Sequence, residues 1–139
     1  MFAEFEMLTH KEVENGGVLT AEWMCKLYND LNHQYFGSAL APDDDIQYEW
    51  ARIPHFYRAF YVYQYATGYS AATAISAKIL AEGETARKNY IEFLKSGSSN
   101  DPVELLKIAG VDMSSPEPIR MAMETFKGLV EELEQLMQA

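Results

Sequence analysis

The chain has 139 residues, 48% of them apolar, 23% charged and 13% aromatic, a balance that excludes intrinsic disorder and suits one domain or part of one. Its 11 basic and 21 acidic side chains give a formal net charge of −10, which excludes a surface built for nucleic-acid phosphates. Lone Cys25 excludes an internal disulfide framework and a cysteine zinc finger, and the longest uncharged run, 59–77, carries too much Tyr, Gln, Thr and Ser for a membrane span.

The acidic start, Met1 to Glu6, lacks the basic flank of a signal peptide, so a cytoplasmic chain is expected. Phe2, Phe5, Leu8 and Val13 recur at near-helical spacing, and Asn15-Gly16-Gly17 ends that segment. Thr20 lies three residues before Trp23 with Glu22 between them, the pattern of a helix N-cap. Trp23, Leu27, Leu31 and Tyr35 then form one stripe closing at Gly37. Ala41-Pro42-Asp43-Asp44-Asp45 reads as a solvated acidic loop.

Pro54 can open a helix, and His55–Ala81 reads as one long helix bent or interrupted near Thr67-Gly68. A short helix follows over Glu84–Leu94, then a loop through 96–100. Asp101-Pro102 caps and starts the next helix, and Gly110 ends it. Ser115-Pro116 repeats the device before a last helix to Met137, with Ile119, Met123, Phe126, Val130, Leu133 and Met137 on one face. No internal repeat appears, and no stretch alternates long enough for a convincing strand. The expected fold is all-α, with about five or six helices.

The three histidines, His10, His33 and His55, include no H-E-x-x-H pair, so the chain alone carries no self-sufficient metal site. Asp30 and His33 share a helix face, but a bundle di-metal site needs such a motif twice, which favours a surface pair. No G-x-S-x-G and no phosphate-binding glycine loop is present, and Cys25 reads as a buried, inert thiol.

The informative stretch is Trp50 to Gly68. At about 100° per residue, Phe56, Phe60, Tyr63 and Thr67 share one side and Tyr57, Tyr61 and Gln64 another, leaving no charged face. Buried phenols need hydrogen-bond partners. Two readings stay open: hydroxyls facing a substrate groove, or tyrosines packed with their hydroxyls at the rim.

These residues carry a resemblance. Trp50–Pro54 with His55-Phe56-Tyr57, and Phe60-Tyr61-Val62-Tyr63-Gln64-Tyr65-Ala66-Thr67-Gly68, resemble the C-terminal region of the oligoendopeptidase F group of thimet-type zinc metallopeptidases. Met1-Phe2-Ala3-Glu4-Phe5-Glu6, Tyr35-Phe36-Gly37, Phe93–Ser99, Leu105–Met113 and Ser115–Pro118 extend it from end to end. The resemblance implies a helical C-terminal part of a zincin-type oligopeptidase, with 1–139 the C-terminal portion of the catalytic domain and the zinc-binding part upstream. Glu4 and Glu6 are not assigned as the third zinc ligand, because the family's matching segment follows that ligand. What the resemblance places here is the opposite wall of the active site. It implies His55 and Tyr63, with Tyr57 less closely matched, as contacts for substrate and for the oxygen that gains negative charge.

The expected function is thus the substrate-binding, C-terminal part of a zinc metalloendopeptidase acting on short oligopeptides. The isolated chain is expected to be inactive. Its expected partners are peptide substrates, the upstream part of the same polypeptide and, for the isolated chain, a second copy. A non-enzymatic all-α interaction domain is the alternative, favoured if H-E-x-x-H is missing upstream. A carboxylate-rich metal-binding bundle is disfavoured because its second acidic-x-x-His motif is absent.

Overall fold

A computed structural model of the chain describes residues 1–41 and 43–138. Among them are six α-helices, three 3₁₀ segments and no strand, so the all-α expectation holds. The α-helices are α1 (Phe2–Glu14), α2 (Ala21–Phe36), α3 (Tyr63–Glu82), α4 (Glu84–Ser96), α5 (Pro102–Ile108) and α6 (Glu117–Gln138). Two compact units divide the chain, one ending at Gln64 and the other beginning at Tyr65, within the first turn of α3.

In the first unit, α1 ends before Gly16, whose φ of +83° only glycine adopts freely. Thr20 caps α2, its hydroxyl accepting the Trp23 N–H at 3.2 Å. The expected stripe on α2 is rotated from the observed one. Cys25, Tyr28, Leu31 and Asn32 are buried, whereas Tyr35 is exposed. Residues four apart drift by about 40° per step around a helix of 3.6 residues per turn, so a run of fours leaves the core face. Phe5, Tyr28 and Leu31 form that core, with Leu8, Leu27, Ile46, Trp50 and Phe56 against it. Pro42 lies outside the described residues, and the neighbouring Ala41, Asp43, Asp44 and Asp45 are exposed as expected.

The long helix expected from His55 is replaced by two elements. Pro54–Tyr57 is one 3₁₀ turn, a non-helical stretch follows, and α3 begins at Tyr63 and runs through Gly68. The interruption therefore falls before Tyr63 and not at the glycine. Its cause is Phe60, which sits at φ +57° and cannot belong to a right-handed helix.

In the second unit, Ala71, Ala74 and Ile75 of α3 pack with Ala109 and Val111, and Tyr90, Phe93, Leu106 and Met121 close over them. Pro102 occupies the first turn of α5 as expected, but the Asp101 side chain makes no capping bond. Ser115 Oγ accepts the Glu117 N–H at 3.3 Å before α6. Only Pro118 and Ala122 of α6 are buried, and its expected apolar face from Ile119 to Met137 is largely exposed. No helix among the described residues is long and apolar enough to cross a membrane.

Candidate functional site

The aromatic segment is laid down on α1 and α2 by a graded set of contacts. Ile46–Arg52 forms a 3₁₀ segment whose Trp50 indole N–H meets Cys25 Sγ at 3.4 Å, so the cysteine is a buried packing partner as expected. Glu49 accepts the hydroxyl of fully buried Tyr28 at 2.6 Å and also pairs with Arg52. Burial first, then that hydrogen bond, pushes the Tyr28 phenol far above its ordinary value. Phe56 packs on α1, its ring 5.0 Å from that of Phe5 and 5.6 Å from that of Phe2.

The chain then turns outward. His55 is half-buried, with its ring 5.2 Å from that of Tyr61. Tyr57 is 70% exposed, and its hydroxyl donates to the Ala51 carbonyl at 2.9 Å, closing the turn around Pro54. Tyr63 is 49% exposed at the first residue of α3. The structure thus pairs His55 with Tyr61, ties Tyr57 to backbone and leaves Tyr63 at the surface. The helical-wheel grouping of Phe56 with Phe60 and of Tyr57 with Tyr61 does not survive, because the segment between Tyr57 and Tyr63 is not helical.

Sequence reasoning did not single out what anchors this turn. Glu6 of α1 is 4% exposed and accepts the backbone N–H of Phe60 at 2.8 Å, bridging 54 positions of sequence. The His10 ring, one turn further along α1, stacks on the Phe60 ring at 4.2 Å. Phe60 is the one non-glycine residue at positive φ among those described, a conformation that costs roughly 1–2 kcal/mol. Glu6 entered the sequence reading only within the Met1–Glu6 resemblance, because spelling alone does not show that a glutamate is buried or what its carboxylate meets.

A zinc ion needs at least three protein ligands, and among the described residues no three His, Cys, Asp or Glu side chains are grouped to hold one. The expected surface pairing of Asp30 with His33 is replaced by an ion pair of Asp30 with Lys26, one turn earlier on α2. A cleft of about 360 Å³ in the first unit is lined by Asn29, Asn32, His33, Phe36 and Asp44, and by none of His55, Tyr57 or Tyr63.

The sequence profile of peptidase family M3 matches residues 1–125, nine-tenths of the chain. The chain belongs to this family. It is 54% identical over 137 residues to oligopeptidase PepF of Bacillus subtilis, covering 99% of this chain and 20% of that protein. Against the plasmid-encoded oligoendopeptidase F of Lactococcus lactis subsp. cremoris the identity is 46%, over 99% of this chain and 23% of the relative. The crystal structure of oligoendopeptidase-F from Enterococcus faecium superposes with a TM-score of 0.89 at 47% identity, over 98% of this chain and 26% of that one. This M3 chain therefore spans between 20% and 26% of the length of these relatives. The fold and family expected from the aromatic segment are both established.

Proposed function

We propose that this chain is the C-terminal, substrate-binding part of a cytoplasmic zinc metalloendopeptidase that hydrolyses peptide bonds in short oligopeptides, and that alone it is catalytically silent. The observation that carries the reading is identity of 54% over 99% of the chain to a protein named oligopeptidase, of which the chain spans 20%. Family M3 is a zinc family by the resemblance, and the ligands belong to the upstream part of the polypeptide. The exposed apolar face of α6 supports the same view, because it is a surface for that upstream part to cover. In the isolated chain the same face invites self-association.

A zinc ion bound by the upstream part would supply Lewis-acid polarisation of the scissile carbonyl and a more acidic water. The residues of this chain act on the other side of the peptide. As water attacks, negative charge builds on the carbonyl oxygen, and a donor already in place stabilises it at no reorganisation cost. Tyr63 presents a phenol from the start of a rigid helix. His55, held against Tyr61, presents a ring N–H from the preceding turn. Tyr57 contacts substrate through its exposed ring, since its hydroxyl proton is committed to Ala51.

The test uses the complete polypeptide. Tyr63→Phe deletes only the hydroxyl, and its loss is expected to lower kcat and kcat/KM together by on the order of 10²–10³. His55→Ala is expected to fall similarly. Near-wild-type turnover in both returns the segment to core packing. Chelator-sensitive cleavage of a quenched fluorescent peptide by the isolated chain refutes the claim of silence. An upstream sequence without H-E-x-x-H favours the interaction-domain alternative.

A further inference from the structure

We propose that Glu6 is a positioning residue for this site: with His10, it holds Phe60 in the left-handed conformation and so fixes where His55, Tyr61 and Tyr63 stand relative to one another. The proposal rests on the peptidase reading above. Its basis is a convergence of four features on one residue. Phe60 is the sole non-glycine at positive φ among the described residues. Its N–H is accepted at 2.8 Å by a carboxylate from a different helix. That carboxylate is 4% exposed, a costly location for an acid. The Phe60 ring is stacked at 4.2 Å on His10 of the same helix.

Stability alone does not call for this arrangement. A glycine or asparagine at position 60 would take the same backbone conformation with less strain. An apolar residue at position 6, next to buried Phe5, would avoid burying a polar carboxyl group. A strained backbone fixed by a buried acid, placed between residues that face a substrate, is a device for holding geometry. Position 60 is the joint of the segment: His55 and Tyr57 lie on the turn before it, Tyr61 and Tyr63 after it. Rotation of the backbone there moves the second pair relative to the first. Glu6 touches no reacting group, so its effect is on orientation and its loss is felt in kcat more than in KM.

The complete polypeptide decides the matter with Glu6→Leu, Glu6→Gln, Phe60→Asn and the double variant Glu6→Leu/Phe60→Asn. Cleavage of a quenched fluorescent peptide gives kcat and KM, and hydrogen exchange reads the backbone amides of 59–62. Glu6→Leu is expected to lower kcat by about 30-fold or more, with KM within about threefold, since misplacement by an ångström costs on the order of a hundredfold. Exchange at 59–62 should quicken by about tenfold or more, the N–H having lost its acceptor. Glu6→Gln retains an acceptor oxygen and should recover most of the turnover. In the double variant, asparagine takes the left-handed conformation unaided, and kcat should rise at least about tenfold above that of Glu6→Leu.

A Glu6→Leu enzyme within about threefold of wild-type kcat overturns the proposal, as does a loss that Phe60→Asn fails to relieve. If Glu6→Leu does not fold, the double variant decides: recovery of fold and turnover supports the holding role, and no recovery refutes it. If the wild type cleaves no peptide, the peptidase reading falls. The exchange measurement then still decides whether Glu6 holds Phe60.

Discussion

Tyr28→Phe is the sharpest probe of the first unit's core. The phenol is fully buried and donates to Glu49 at 2.6 Å, while its ring meets Phe5 edge-on at 5.3 Å. Phenylalanine keeps the ring and its packing and deletes one hydrogen bond to a charged acceptor, a bond contributing about 1.5–3 kcal/mol. Glu49 keeps Arg52 as a partner, so no carboxylate is orphaned. At neutral pH the melting temperature of the chain should fall by about 5–10 °C. The alkaline behaviour carries the second signature. Burial and the Glu49 bond raise the Tyr28 phenol above its ordinary value of 10.0 in the folded chain. Above that pH the unfolded chain releases a proton that the folded chain keeps. The hydroxyl's contribution is therefore whole below pH 10 and is lost as pH rises toward the folded value, by up to about 1.4 kcal/mol per pH unit. Wild type and Tyr28→Phe should accordingly converge as pH climbs from about 10 to 11.5, with the other tyrosines cancelling between them. Thermal unfolding followed by circular dichroism over that range is the assay. A gap independent of pH, or no gap at pH 7, refutes the reasoning.

Gly110→Ala should destabilise the second unit by about 1–2 kcal/mol through its left-handed backbone. The added methyl would also lie 2.7 Å from Lys78 Cε, which the flexible lysine relieves by moving, at the expense of its pairing with Glu82. A melting temperature equal to wild type counts against this account. The isolated chain should bind a hydrophobic dye through α6, where Phe126 and Leu133 are more than half exposed, and Phe126→Glu with Leu133→Glu should abolish most of that signal. Equal dye fluorescence before and after the double substitution would place the apolar surface elsewhere.

Local signals were enough wherever a residue acts on its own backbone. Thr20 before α2, Pro102 in α5, Ser115 before α6 and the glycine stops at Gly16, Gly37 and Gly110 all act within a few residues. The family resemblance was readable for the same kind of reason, since it rests on long contiguous strings around Trp50–Gly68 that a matching family shares almost from end to end. Periodicity also pointed to the all-α class.

Tertiary structure decided the rest. Which stripe of α2 is buried depends on what lies against it, and Phe5 and Trp50 select Tyr28 where spacing alone favoured Tyr35. The break between Tyr57 and Tyr63 carries neither proline nor glycine. It exists because Glu6, 54 positions away, meets an N–H that a helix would have committed elsewhere. A left-handed phenylalanine is unfavourable by itself, so no local rule could have placed it. Only the energy of a distant, buried acceptor makes that conformation the stable one.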